Sequence, residues 1–171
     1  MVEPHGSGEV VPLSAQEEAA WRALARAVLV IPRVIDADLM QAQGIGATEY
    51  VVLMTLSEAP EGSMRMSRLA THVAISVSGL SRVVGRLERE RLVERSRSAD
   101  DGRGQVARIT PAGLRALEAA WPVHLASVRR RVMDHLRGLD LTAFAAAMAE
   151  IAEPESGPPG RRRARGPVAG S

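Results

Sequence analysis

The sequence predicts a mainly α-helical protein that carries one short β-ribbon. Only 2% of the 171 residues are aromatic although 46% are hydrophobic, so aliphatic side chains must fill the interior. A core of that composition favours helices packed on helices over a sandwich or barrel. Apolar residues recur at three- and four-residue spacing along most of the chain, and two strand-like segments, Val93–Arg97 and Gln105–Ile109, follow one another closely.

The composition also excludes several classes of protein. The absence of cysteine excludes disulfides, cysteine nucleophiles and thiolate metal sites. No apolar run in the sequence approaches the roughly 18 residues that a transmembrane helix needs. Residues 1–14 lack the basic and apolar regions of a secretory signal. We therefore expect a cytoplasmic protein that does not associate with membranes.

Positive charge is concentrated in one part of the chain. The formal net charge is only +2, yet residues 61–110 carry ten arginines against six acidic residues. Residues 1–60 show the opposite balance, with three arginines against eight acidic residues. A local excess of arginine is typical of proteins that bind nucleic acid.

The N-terminal third of the chain predicts two helices. Residues 1–13 show no apolar period and are expected to be disordered. Ser14, with Glu17 three residues later, forms a capping box, and the helical period that begins there continues to about Gln43. A second helix, most of whose positions are apolar, begins at Thr48.

The next segment has the order helix, turn, helix. Met66–Val73 is a short helix with Ser67 as its expected cap, and residues 74–75 form the turn. Ser76 caps a fourth helix, which we expect to continue to about Leu92. In DNA-binding proteins, the second helix of such a pair enters the major groove.

A two-stranded ribbon follows the fourth helix, and two more helices complete the chain. The strands named above enclose an Asp-Asp-Gly-Arg-Gly loop. Thr110 caps a fifth helix, which has proline at its first position and an apolar period that extends to Leu136. A last short helix is expected over Ala143–Ile151. A ribbon directly after a helix-turn-helix is the arrangement of a winged helix-turn-helix.

The order and spacing of these motifs resemble the MarR family of transcriptional regulators over roughly residues 15–152. One departure is Arg91, because the family usually has glycine directly before its Leu-Val-Glu-Arg motif. The matching motifs are Glu49-Tyr50, Arg65-Met66-Ser67-x-Leu69-Ala70, Ser76-x-Ser78-x-Leu80-Ser81-Arg82-x-Val84-x-Arg86-Leu87-Glu88, Leu92-Val93-Glu94-Arg95, Asp101-Gly102-Arg103-Gly104 and Ile109-Thr110-Pro111-Ala112-Gly113.

The resemblance implies a winged helix-turn-helix lobe, residues 46–110, attached to a dimerisation domain that residues 14–45 and 111–153 form. Two segments would be disordered and lie outside the lobe and the dimerisation domain: residues 1–13 and the Arg-rich tail 154–171. The resemblance further implies a homodimer that binds a pseudo-palindromic operator in double-stranded DNA. Many relatives release DNA when a small aromatic effector binds between the lobe and the dimerisation domain, so we expect a ligand-responsive repressor.

Eight residues of the fourth helix and the ribbon are candidates for DNA contact. Hydroxyls and backbone amides at a helix N-terminus bind phosphate, and arginines on the following turns can grip guanine. An arginine between two glycines at a ribbon tip can enter the minor groove. Asp101 is equally explained as a turn residue. The full set is Ser76, Ser78, Gly79, Ser81, Arg82, Arg86, Asp101 and Arg103.

Other kinds of site receive less support. Met40, Tyr50 and Met54 can line an effector site, although the same residues can simply fill the core. On one helix, His124 and His135 would lie about 16 Å apart, too far to share a metal ion. We therefore expect no metal site, no catalytic residues and no cofactor. The alternative function is a winged-helix protein-interaction module without DNA binding, although such a module needs neither the arginine-rich helix nor the arginine-tipped ribbon.

Overall fold

The computed structural model describes residues 11–97 and 104–152. Within these ranges the chain forms six α-helices and a three-stranded antiparallel sheet, which confirms the mainly α fold class with a β wing. The elements are α1 Ala15–Gln43, α2 Ala47–Glu58, β1 Ser63–Arg65, α3 Met66–His72, α4 Val77–Arg89, β2 Val93–Arg97, β3 Gln105–Ile109, α5 Pro111–Arg131 and α6 Leu141–Ala152. None of these helices is both long enough and apolar enough to cross a membrane.

The chain divides between His135 and Leu136 into two compact units. In the first unit, α2 supplies the centre of the core, and its Val52, Leu53 and Leu56 are wholly buried. Burying each such side chain contributes about 1.5–3 kcal/mol, which explains why α2 is apolar on most of its faces. The partners in this core include Leu39, Leu69, Leu80, Val84, Leu87, Val93, Ala107 and Ala120.

Helix α1 begins and ends as the sequence predicts. Ser14 Oγ accepts a hydrogen bond from the backbone N–H of Glu17 at 3.3 Å, and the Glu17 carboxylate accepts one from the backbone N–H of Ser14 at 2.7 Å. This reciprocal pair is the predicted capping box. Gly44 ends the helix in the left-handed conformation, with φ of 70°.

The sheet contains one strand that the sequence did not predict. Strands β2 and β3 have the predicted bounds, and β3 lies at the centre of the order β1-β3-β2. The added strand β1 pairs Met64 with Ala107. It has only three residues, which is too short for an alternating pattern to be recognised.

Helix α4 ends at Arg89, three residues before the expected end. The backbone N–H of Leu92 donates to the Leu87 carbonyl at 2.8 Å, and that of Arg91 donates to the Glu88 carbonyl at 2.9 Å. These two bonds form a Schellman motif, in which Arg91 has a φ of +60°. The left-handed conformation costs a non-glycine residue about 1–2 kcal/mol, so glycine would be the less strained residue here.

Other boundaries also differ from the sequence prediction, by one to five residues. Arg65, not Ser67, is the N-cap of α3, so Ser67 lies inside that helix. Helix α5 stops at Arg131 instead of Leu136, after three consecutive arginines that suit a helix C-terminus electrostatically. Helix α6 starts two residues early, because Asp140 Oδ1 accepts hydrogen bonds from the backbone N–H groups of residues 142 and 143.

Candidate nucleic-acid interface

Helix α4 has a buried face and a basic exposed face. Leu80, Val84 and Leu87 are wholly buried and attach the helix to the core. On the outer side, an open groove of about 720 Å³ follows the helix. It is lined by Gly79, Ser81, Arg82, Val83, Gly85, Arg86 and Arg89. Three arginines therefore lie along one exposed side of a rigidly held helix.

The N-terminus of α4 is built by two serines and a glycine. Ser76 Oγ accepts a hydrogen bond from the backbone N–H of Gly79 at 3.1 Å and lies 3.2 Å from Ser78 Oγ. A Cβ on residue 79 would lie 3.1 Å from the same Ser76 oxygen, so glycine keeps the cap free of crowding. Helix N-termini leave backbone N–H groups without intrahelical partners, and here the residues at the N-terminus, Ser76, Val77 and Ser78, are exposed.

The arginines of the groove differ in how they are held. Arg86 forms an ion pair with Glu49 of α2, with 2.8 Å between Nε and Oε1. Arg89 Nε donates to the Gly85 carbonyl of its own helix at 3.3 Å. The side chain of Arg82 is exposed. Arg86 is thus fixed by the protein, whereas Arg82 extends from the surface of the helix.

An ion pair also holds the base of the wing. Arg95 of β2 donates from Nε to Glu88 Oε2 of α4 at 2.7 Å, and this hydrogen bond raises the pKa of Arg95. Half-buried Ser81 lines a second, smaller groove together with Gln105 of β3. Helix α4 and the ribbon are therefore joined at their base. The predicted wing-tip residues Asp101 and Arg103 lie outside the described residues.

The three candidate effector residues are placed differently. Tyr50 is 1% exposed, Met54 is half-buried and Met40 is exposed. The Tyr50 ring stacks on the ring of His124 from α5, with 4.3 Å between centroids and 24° between planes. Within the described part of the chain, the Tyr50 hydroxyl and His124 Nδ1 are buried without a hydrogen-bond partner. This pair places two buried polar atoms at the junction of α2 and α5.

Burial of His124 predicts a pH dependence of stability. Burial lowers the pKa of His124, so the folded state disfavours its protonation relative to the unfolded state. The stability contributed by neutral His124 is complete above the unfolded pKa of about 6.5 and is lost as the pH falls through the lower folded pKa. We expect the urea midpoint to fall below about pH 6.5. His124→Phe, which keeps a stacking ring without a titrating nitrogen, should flatten this dependence, and an unchanged pH profile would contradict the assignment.

Sequence reasoning missed three residues that shape this region. Glu49 and Glu88 appear in the sequence prediction only as parts of motifs, and His124 only as a rejected metal ligand. An acidic residue at the third position of a helix does signal a capping role, and it could have identified Glu49. The ion pair and the ring stack depend on tertiary contacts, for which the sequence gives no local signal.

A helix-turn-helix followed by a ribbon on one compact core defines a winged helix-turn-helix protein. A MarR family model matches residues 43–104. The structure is similar to that of Sco3205, a MarR family transcriptional regulator from Streptomyces coelicolor solved in complex with DNA. The two are 32% identical over 85% of this chain and 91% of that chain, with a TM-score of 0.79.

A second solved structure is also similar to this chain. AbsC, a MarR family transcriptional regulator from Streptomyces coelicolor, is 36% identical over 84% of this chain and 96% of that chain, with a TM-score of 0.76. Wild-type MarR from E. coli in its apo form is 17% identical with a TM-score of 0.63, over 85% of this chain and 100% of that chain, and supports the fold alone. A comparison with curated proteins finds no match. The chain belongs to the MarR family of transcriptional regulators, which confirms the resemblance seen in its motifs.

Proposed function

We propose that the protein is a sequence-specific regulator that binds double-stranded DNA as a homodimer and acts as a ligand-responsive repressor. The observation that carries this proposal is the row of Arg82, Arg86 and Arg89 along the exposed side of α4. The opposite face of α4 is anchored in the core, so this helix can enter a major groove as a rigid unit. The 32% identical regulator Sco3205 was solved in complex with DNA, which supports the same partner here.

The candidate residues have different kinds of role in this proposal. The N-terminus of α4, with Ser76 and Ser78, would bind a phosphate, and Gly79 would let the helix approach the DNA backbone closely. Ser81 would project towards the DNA from the following turn. Arg82 and Arg86 would read base edges. The sequence-based roles of Asp101 and Arg103, in the turn and in the minor groove, stay predictions. A homodimer would present two such helices to the halves of a pseudo-palindromic operator.

The effector part of the proposal rests on the junction between α2 and α5. Tyr50 carries a buried hydroxyl without a partner within the described residues, and buried polar groups normally have one. A small aromatic ligand that reached this junction would find a stacking surface and polar atoms to bind. Met54 lies one helical turn from Tyr50, and the exposed Met40 would lie at the edge of such a site.

Binding isotherms test the DNA-binding proposal. We expect the protein to prefer a duplex from the region upstream of its own gene over a scrambled duplex of equal composition. Specific binding typically exceeds nonspecific binding by about 10³–10⁷-fold at physiological salt. The affinity should fall linearly on a plot of log affinity against log salt, because bound arginines release counterions. Fluorescence anisotropy at several salt concentrations measures both effects.

Two results would contradict the proposal in different ways. Equal affinity for a scrambled duplex and for both the upstream duplex and a duplex selected from a random pool would rule out sequence-specific binding. Absence of salt-dependent binding to any duplex would favour the protein-interaction module instead.

A further inference from the structure

Glu49 is a buried carboxylate that serves two partners. Its side chain is 4% exposed, although it lies at the third position of α2. Oε2 accepts a hydrogen bond from the backbone N–H of Gly46 at 2.8 Å and so caps the helix. Oε1 lies 2.8 Å from Nε of Arg86, whose side chain is 50% exposed. One carboxylate therefore joins the start of α2 to the exposed side of α4.

The same start of α2 is also attached to α1. Asp36 Oδ1 of α1 accepts a hydrogen bond from the backbone N–H of Ala47 at 2.7 Å. A Cβ on Gly46 would lie 2.8 Å from that oxygen, so only glycine permits this close approach without a shift. Asp36 and Glu49 thus hold adjacent amides of one turn, which fixes the position of the Glu49 carboxylate relative to two helices.

This arrangement distinguishes Arg86 from its neighbours in the groove. Within residues 11–97 and 104–152, neither Arg82 nor Arg89 pairs with a buried carboxylate, whereas Arg86 does. A buried carboxylate needs a cation, and the planar guanidinium satisfies it in few orientations. An exposed arginine without such a partner samples many rotamers, and ordering it on binding costs free energy.

We propose that Glu49 is a positioning residue for sequence discrimination, because it fixes the direction in which Arg86 presents its guanidinium to DNA. The inference rests on the proposed sequence-specific DNA binding and assigns a residue that lies away from the DNA-facing surface. Arg86 then reaches the duplex already oriented. The preference for the correct base pair would depend on Glu49, even though Glu49 itself touches no DNA.

The test compares Glu49→Gln with the matched control Glu18→Gln. Both variants remove one carboxylate that pairs with an arginine, since Glu18 pairs with Arg22 on the exposed side of α1. Both raise the net charge by one, which should leave affinity for a scrambled duplex unchanged or slightly higher. The measured quantity is the ratio of affinities for a duplex selected by the unmodified protein from a random pool and for a scrambled duplex.

If Glu49 positions Arg86, Glu49→Gln should change this ratio of affinities, whereas a loss of folding stability alone should not. We expect Glu49→Gln to lower the ratio by about tenfold or more, since a well-placed arginine contributes about that much discrimination. Glu18→Gln should keep the ratio of the unmodified protein. Loss of folded protein would reduce both affinities by the same factor and leave the ratio constant.

Two double variants test whether Glu49 acts through Arg86. One variant combines Arg86→Gln with Glu49→Gln, and the other combines Arg86→Gln with Glu49→Met. Neither variant leaves a buried charge at this position. Their ratios should be equal, because without Arg86 the residue at position 49 no longer matters for discrimination. A ratio unchanged by Glu49→Gln, or unequal ratios for the two double variants, would overturn the positioning role. If the unmodified protein itself selects no sequence, the proposed function fails and this inference falls with it.

Discussion

Replacing Gly113 with alanine is expected to destabilise the protein by about 3 kcal/mol, at the upper end of typical overpacking costs. Gly113 is buried in the first turn of α5, where a Cβ would lie less than 3.0 Å from the Leu92 carbonyl oxygen and 2.8 Å from Ile109 Cγ1. The carbonyl cannot easily move away, because it accepts hydrogen bonds from both the backbone N–H and the hydroxyl of Thr110. The added methyl group must therefore separate the start of α5 from the wing.

Gly85→Ala is the matched control for this substitution. Gly85 lies inside α4, and a Cβ there would meet only Arg95 Nη2 at 3.8 Å, an ordinary contact. Alanine should stabilise this position by up to about 1 kcal/mol, because glycine is the poorer helix former. Urea unfolding followed by circular dichroism gives both values. Equal stability of Gly113→Ala and the unmodified protein would show that α5 and the wing can move apart at little cost.

The parts of the fold that sequence predicted are those with strong local signals. The capping box of Ser14 and the cap of Ser76 depend on residues three positions apart, and both were found where expected. Strands β2 and β3 were also predicted with their observed bounds. These elements are specified by neighbouring residues, so a pattern of a few positions is sufficient to predict them.

The missed features depend on contacts between distant segments or on unusual residues. Strand β1 exists because β3 offers it hydrogen bonds, not because three residues favour a strand. The end of α4 was misplaced because Arg91 occupies a left-handed position that usually carries glycine. The pair between Glu49 and Arg86 required the packing of α2 against α4, which no local pattern reports.

Introducing a charge on the exposed apolar side of α1 is expected to break the proposed homodimer. Trp21, Val28 and Leu29 are 60%, 62% and 63% exposed in the single chain, and Trp121 and Leu125 of α5 are 51% and 46% exposed. Apolar surface of this kind commonly marks an interface, since water contact with it is unfavourable. Val28→Glu would bury an unpaired carboxylate at that interface. We expect the dimer to weaken by at least about a hundredfold, on the order of 3 kcal/mol.

A point substitution tests dimerisation more clearly than truncation does. Deleting residues 1–40 should also abolish the dimer, but it removes wholly buried Leu39 and so damages the core of the lobe at the same time. Deleting 157–171 should leave the dimer intact. Gln16→Glu, which adds the same carboxylate at an exposed position in the first turn of α1, is the control and should sediment like the unmodified protein.

Loss of the dimer should lower the affinity for operator DNA. In a homodimer the second recognition helix binds its half-site at a high effective concentration, so a monomer loses that advantage even when its α4 is unchanged. We therefore expect Val28→Glu to lose operator affinity in proportion to the monomer fraction measured by sedimentation velocity at the same concentration. Its melting curve should still show a cooperative transition, because Val28 lies outside the buried core. A Val28→Glu protein that sediments as a dimer, or a monomer that binds the selected duplex as tightly as the unmodified protein, would show that this side of α1 does not form the interface.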